Sequence, residues 1–261
     1  MDLGIAGRTA LVLGGGGGIG GAVAQVLSEE GVAVAVADIN APAAQRRAEA
    51  VINSGGRAVA LEWDIGDLDA IDGNVTTIEE SLGPVDILVN NTGGPPPSPV
   101  LNQDHTVWLT YFQSMVLSVI AITDRVMPAM RSRGWGRVIT SVSSGVVAPI
   151  PNLGLSNALR TSLLGWSKTL AREVAADGVT CNIIVPGRIG TQRTEFLDRA
   201  RAEREGTTVE QVSAASMATI PLGRYGDPRE YAAMVAFLAS VPASYVTGSV
   251  VRVDGGLIGS L

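Results

Sequence analysis

Short apolar runs, separated by longer stretches of helical spacing, leave this chain few folds to choose from. TALVL (9–13), VAVAVA (32–37), VDILV (85–89), RVITSV (137–142) and CNIIV (181–185) have the length and character of strands, whereas APAAQRRAEAVIN (41–53) sets its apolar residues at helical intervals. Strands this apolar must be covered on both faces, and their alternation with helices implies βα units around a parallel sheet. The expected fold is therefore α/β, a three-layer Rossmann-type arrangement whose doubly wound parallel sheet carries helices on both faces. The chain has 261 residues, 46% of them hydrophobic, enough for a sizeable core. No linker, charge run or fixed-period repeat divides it, so residues 1–261 read as one domain. The least regular part, 186–227, is rich in Gly, Arg and Glu; beyond the C-terminal strand ends of such a sheet, it is a candidate substrate lid.

Charge and cysteine usage narrow the partners. A net charge of −6 provides no basic stripe to track phosphates, so nucleic acid is not expected as a partner. No apolar run approaches the ~20 residues needed to cross a bilayer, and MDLGIAGRTALVLGGGG lacks the basic-then-apolar layout of a secretion signal. Neither membrane nor export is expected. Cys181 stands alone, which excludes an internal disulfide, suits a buried strand thiol and fits a reducing cytoplasm. No metal site is expected.

LVLGGGGGIGGAV joins the first strand to a helix. Glycines let the backbone turn tightly and approach a pyrophosphate, and the helix N-terminus beyond them favours negative charge. The second strand then ends in Asp38. An acid there accepts hydrogen bonds from the hydroxyls of an adenine ribose and repels a 2′-phosphate, so the expected cofactor is NAD rather than NADP.

With these features in place, the chain resembles the short-chain dehydrogenase/reductase family over nearly its whole length. Gly14, Gly18 and Gly20, with Ile19 inside the turn, match that family's TGxxxGxG, Leu13 replacing the threonine. Asp64 and Ile65 match its adenine-contacting pair, and Asn90, Asn91 and Gly93 in NNTGG match its NNAG. Pro186, Gly187 and Thr191, with Ile189 between them in PGRIGT, match the PGxxxT segment near the nicotinamide carboxamide. The ending VTGSVVRVDGG is similar to that of members that assemble as tetramers, so the resemblance implies a homotetramer or homodimer.

The resemblance fails where it matters for catalysis. In the family a serine hydrogen-bonds the substrate oxygen, a tyrosine exchanges its proton, and a lysine four residues later lowers the tyrosine pKa and binds the nicotinamide ribose. TSVSSG places the serine at Ser143, with Ser144 beside it. The tyrosine position then falls on Ser156, the lysine position on Arg160, and the family's water-holding asparagine on Met115. A register shift cannot repair this: the tyrosines are Tyr111, Tyr225, Tyr231 and Tyr245, and the only lysine is Lys168, ~12 Å further along a helix than Arg160. Ser156 and Arg160 share a helix face at i, i+4, and Arg160 keeps a positive charge for the ribose or an oxyanion, but a guanidinium relays no proton. The alternative is that the two merely fill space beside a bound dinucleotide.

Other proton donors are few. His105 sits at the expected start of a helix, where a solvated role is the simpler one, and Tyr111 suits core or interface. PPPSP (95–99) is expected either to stiffen the pocket rim or to serve as a simple connector. The sequence thus points to an NAD(H)-dependent oxidoreductase for a small carbonyl, alcohol or imine with a non-standard proton path. The candidate catalytic set is Ser143, Ser156 and Arg160. A non-catalytic NAD(H)-binding sensor or partner subunit, and an NAD-assisted isomerase or lyase, are the alternatives.

Overall fold

The five apolar runs become β1 (Thr9–Leu13), β2 (Ala33–Asp38), β4 (Ile87–Asn91), β5 (Gly136–Ser141) and β6 (Val179–Pro186) in a computed structural model that describes residues 1–260. Two further strands, β3 (Ala58–Glu62) and β7 (Val250–Val253), occupy the sheet edges, where partial exposure tolerates Glu62 and Arg252 and weakens the apolar signal. The order is β3-β2-β1-β4-β5-β6-β7, with every pairing parallel. This is the doubly wound topology expected.

Alternation along β1 shows how the two helical layers are held. Ala10 and Val12 pack into one core with residues of α1 (Gly18–Glu29) and α9 (Pro228–Ala239), while Leu11 and Leu13 pack into the other with α3 (Ile71–Leu82) and α5 (Ser118–Ser132). Each fully buried leucine is worth ~2 kcal/mol of transfer free energy. The remaining helices are α2 (Ala41–Asn53), α4 (His105–Phe112), α6 (Gly154–Val174), α7 (Gln192–Glu205) and α8 (Val209–Ala218). Cys181 is buried in β6, and burial pushes its thiol up to about 12.

Two expectations need correction. The segment 186–227 is largely helical: α7 and α8 fill most of it, with Thr191 and Thr208 accepting hydrogen bonds from Thr194 N and Gln211 N as N-caps. Its polarity is that of exposed helices, and Arg188 and Tyr225 pin α7 through the buried Asp198, at 2.9 and 2.6 Å. The second concerns bilayer-spanning length. α4, a π-helical turn (Gln113–Leu117) and α5 form one continuous run, His105–Ser132, of 28 residues, whose most apolar 18-residue stretch has a mean hydropathy of 1.5, long and apolar enough to cross a membrane. Interspersed Thr, Gln and Ser hide that run from a search for unbroken apolar stretches. Met115, Val116, Val119, Ile122, Val126 and Met130 dock its inner stripe into the cores of the domain.

Candidate active site

Chain order reverses between β1 and β4, and the loops beyond these strands open a cleft of about 1150 Å³. The glycine turn forms its floor. Gly14 is left-handed at φ +59, and a Cβ on Gly20 would stand 2.1 Å from Gly14 O, an overlap that backbone cannot relieve. A Cβ on Gly18 would meet Thr191 Cγ2 at 2.6 Å, so the turn and the PGRIGT segment approach as closely as glycine allows. α1 begins with no side-chain cap and no acid in its first turn. Its first N–H groups are left for an anion.

At one end of the cleft stand Asp38, Trp63, Asp64 and Ile65, with no Lys or Arg among the lining residues beyond β2 and β3. Two backbone donors fix the Asp38 carboxylate: Gly16 N to Oδ2 at 3.0 Å and Asn40 N to Oδ1 at 2.9 Å. Asn91 and Gly93 line the middle, and the Asn91 amide donates to Leu13 O, tying β4 to the turn. Asn90 faces inward instead, donating to Thr123 and Thr140. Pro186, Gly187, Ile189 and Thr191 line the opposite wall, with Gly14, Gly18, Ile19 and Gly20 along the floor.

Ser143, Ser156 and Arg160 share the same cleft. Ser143 follows β5 in extended conformation and its Oγ accepts from Gly145 N at 3.2 Å, with Ser144 adjacent on the wall. Ser156 and Arg160 lie on one face of α6 and are both buried. Arg160 Nε donates to Ser156 Oγ at 3.3 Å, while its Nη2 donates to Thr92 O at 3.1 Å and Gly93 O at 2.6 Å. Burial, with the like charge of Arg193, pushes the guanidinium down to about 10. It is still charged at neutral pH.

Met115 lines the cleft from the π-helical turn, a distortion that aims an extra side chain inward but here presents a thioether. Tyr111 also faces the cleft, and Pro97 on the rim flanks the bridge between Ser98 and Leu153. His105 lies outside it, exposed beside the N-cap Asp104. Lys168 donates to Gly248 O, far along α6.

Three residues escaped the sequence reading. Tyr231 on α9 donates at 2.8 Å to Ser141 Oγ, and Ser141 lines the cleft; burial raises the phenol pKa, making Tyr231 a poor acid. Arg193 reaches from α7 across the cleft mouth to Pro95 O at 2.7 Å. Only the serine-rich TSVSS and the arginines after PGRIGT hinted at these.

Comparison with known proteins agrees with this architecture. A family model described as enoyl-(acyl carrier protein) reductase matches residues 14–258. A 3-oxoacyl-(acyl-carrier-protein) reductase of Vibrio cholerae is 34% identical over 253 residues, 96% of this chain and 97% of that one. Nodulation protein G of Azospirillum brasilense is 35% identical over 253 residues, 96% and 98% of the two chains. Among solved structures, L-sorbose reductase from Gluconobacter frateurii, complexed with NADPH and L-sorbose, superposes with a TM-score of 0.94 at 29% identity over 100% of both chains.

Proposed function

Because this chain belongs to the short-chain dehydrogenase/reductase family, as the family match and near full-length relatives show, we propose that it is an NAD(H)-dependent oxidoreductase that moves hydride without the usual tyrosine acid. The substrate is a small carbonyl, alcohol or imine. The observation that carries this reading is the cleft itself: an uncapped α1 and close-packed glycines fit a pyrophosphate, and a backbone-held Asp38 fits an unphosphorylated ribose. NAD(H), when bound, supplies or accepts the hydride. L-sorbose reductase is complexed with NADPH. For this chain Asp38 and the lack of a cation beside it favour NAD, because a 2′-phosphate would meet a carboxylate with no compensating charge.

The chain's own groups then have limited but definite roles. Ser143 donates to a developing oxyanion or orients an imine nitrogen. Arg160 supplies positive charge toward ribose or oxyanion and holds Ser156 in place. Neither serine hydroxyl nor guanidinium is a useful acid near neutral pH, so the substrates that suit the site need little proton donation, such as an imine already protonated in solution. A non-catalytic NAD(H)-binding sensor is the second reading, favoured by the same missing acid.

Calorimetric titration with NADH and NADPH, followed by nicotinamide absorbance with a panel of ketones, aldehydes and cyclic imines, tests both. The proposal expects NADH to bind at least about ten-fold tighter, ~1.4 kcal/mol, with oxidation by at least one imine or carbonyl. Equal or tighter NADPH binding overturns the cofactor assignment. Tight NADH binding with no turnover on any panel member favours the sensor.

A further inference from the structure

We propose that the cleft takes a substrate bearing a carboxylate, which Arg160 and Arg193 hold between them close to Ser156. The inference deepens the oxidoreductase reading and rests on it for the identity of the ligand as substrate. Five arginines line the cleft. Arg188 is paired with Asp198 at 2.9 Å, and Arg201 and Arg204 both pair with Glu205, at 2.9 and 3.3 Å. Arg160 and Arg193 have no carboxylate partner among the described residues. Of the acids on the cleft wall, Asp38 and Asp64 stand beyond β2 and β3, and Glu205 is already taken.

The two free guanidinium groups converge. Their Nη2 atoms lie 3.4 and 3.6 Å from the point a Cβ on Gly94 would occupy, Arg160 from the buried floor and Arg193 from the exposed mouth. Backbone carbonyls fix both orientations, through Thr92 O and Gly93 O for Arg160 and through Pro95 O for Arg193. Those carbonyls hold the forks without neutralising them. Nη1 of each group makes no hydrogen bond to the described residues and remains available to a ligand. Arg193 is further steadied over the Phe196 ring, its Cζ 5.3 Å from the centroid. A buried cation is costly unless paired, and two that repel each other across a small space are relieved together by one anion. Through Nη1 each guanidinium offers a charge-assisted donor to a carboxylate oxygen.

The same cleft is lined by Pro149, Ile150, Leu153, Leu197 and Ile258, which suits an acid with an apolar body. The pyrophosphate of a dinucleotide has its own cradle at the α1 N-terminus.

Calorimetric titration of benzoate and of the isosteric, neutral benzamide into the NAD-saturated full-length protein tests the inference, with inorganic phosphate as a third probe. Benzoate is expected to bind at least about ten-fold tighter than benzamide. Arg193→Gln should remove that difference, Arg193→Lys should restore part of it, and NADH affinity should stay within about three-fold in both. Arg193 is the residue to vary, since it is at the mouth, whereas Arg160 is buried and ties β4 to α6. Equal binding of benzoate and benzamide overturns the proposal. So does an Arg193→Gln variant that loses NADH affinity as far as benzoate affinity, since the arginines would then serve the cofactor, or inorganic phosphate that binds the NAD-saturated protein as tightly as benzoate, since the pair would then not be a carboxylate site. If benzoate is preferred while no substrate is ever reduced, the anion site stands and the hydride-transfer reading fails.

Discussion

At the residue scale, the difference between Ser143 and Ser156 decides what kind of chemistry is left. Ser143 donates where charge develops, and loss of such a donor costs ~3 kcal/mol of transition-state stabilisation, so Ser143→Ala should lower kcat/KM by about two orders of magnitude. Arg160→Ala should lower turnover and NADH affinity together, by ~2–3 kcal/mol, because it removes charge-assisted hydrogen bonds to Thr92 O and Gly93 O as well as a cation facing the cleft. Ser156→Ala should be mild. Steady-state kinetics of the three variants checks this, and a dead Ser156→Ala beside two active variants would make Ser156 the catalytic centre. Acidity gives a second expectation. With the Arg160 pKa pushed down to about 10, its contribution is constant from about pH 7 to about 9 and falls above that. The sign for stability is opposite: because the folded-state pKa is depressed, the burial penalty on the cation applies below about 10 and eases as pH rises through it. An alkaline loss of affinity with unchanged circular dichroism is thus the expected signature; unfolding at the same pH would contradict it. The placements of Ser156 and Arg160 were legible because helical spacing fixes their common face. The bond from Tyr231 to Ser141 was not, since it joins residues 90 apart in sequence that only the folded sheet brings together.

At the scale of elements, the glycine turn is the part the sequence described best, and the reason is steric. The Cβ that Gly20→Ala adds would stand 2.1 Å from Gly14 O, with both atoms anchored in backbone between β1 and α1. Overpacking of this kind costs ~1–3 kcal/mol and here would displace the N–H groups at the start of α1 as well. The variant should therefore show a lower Tm and lose NADH binding, whereas Gly165→Ala, on α6 with nothing within 4 Å, should leave both near wild type. Equal behaviour of the two would mean that the turn is not the cofactor floor. Strands β1, β2, β4, β5 and β6 were readable because burial on both faces leaves continuous apolar runs; β3 and β7 were not, because an edge position relaxes that demand. α7 and α8 were hidden for a related reason. α7 is mostly polar and α8 is only ten residues long with a small buried face at Val212 and Ser216, so neither showed a clear apolar stripe; both rely on caps, and α7 also on the Asp198 pairings.

For the molecule as a whole, one long helical run is only half accounted for by the fold. His105–Ser132 buries its inner stripe, yet Leu109, Phe112 and Leu117 remain exposed at 67%, 41% and 36%. Val100 and Leu101, on the loop before α4, are exposed as well. Apolar surface of this extent on an acidic, charge-dispersed chain needs a cover, and two identical helices crossing about a two-fold axis provide one that is self-complementary. Stable interfaces bury ~800 Å² per partner, which a helix of this length reaches only if its whole outer face takes part. We therefore expect a homo-oligomer, a tetramer or dimer of the 26.9 kDa chain, with this helix at one interface. Light scattering at micromolar concentration measures the particle mass directly. Leu109→Asp combined with Phe112→Asp should reduce that mass, since carboxylates from both copies would be buried in the same apolar seam, while the inner stripe and hence the helical circular dichroism stay unchanged. A wild-type particle of 26.9 kDa would end the proposal. A double variant that keeps the wild-type mass would move the interface to another face, because two buried like charges could not be tolerated where these leucine and phenylalanine side chains had met.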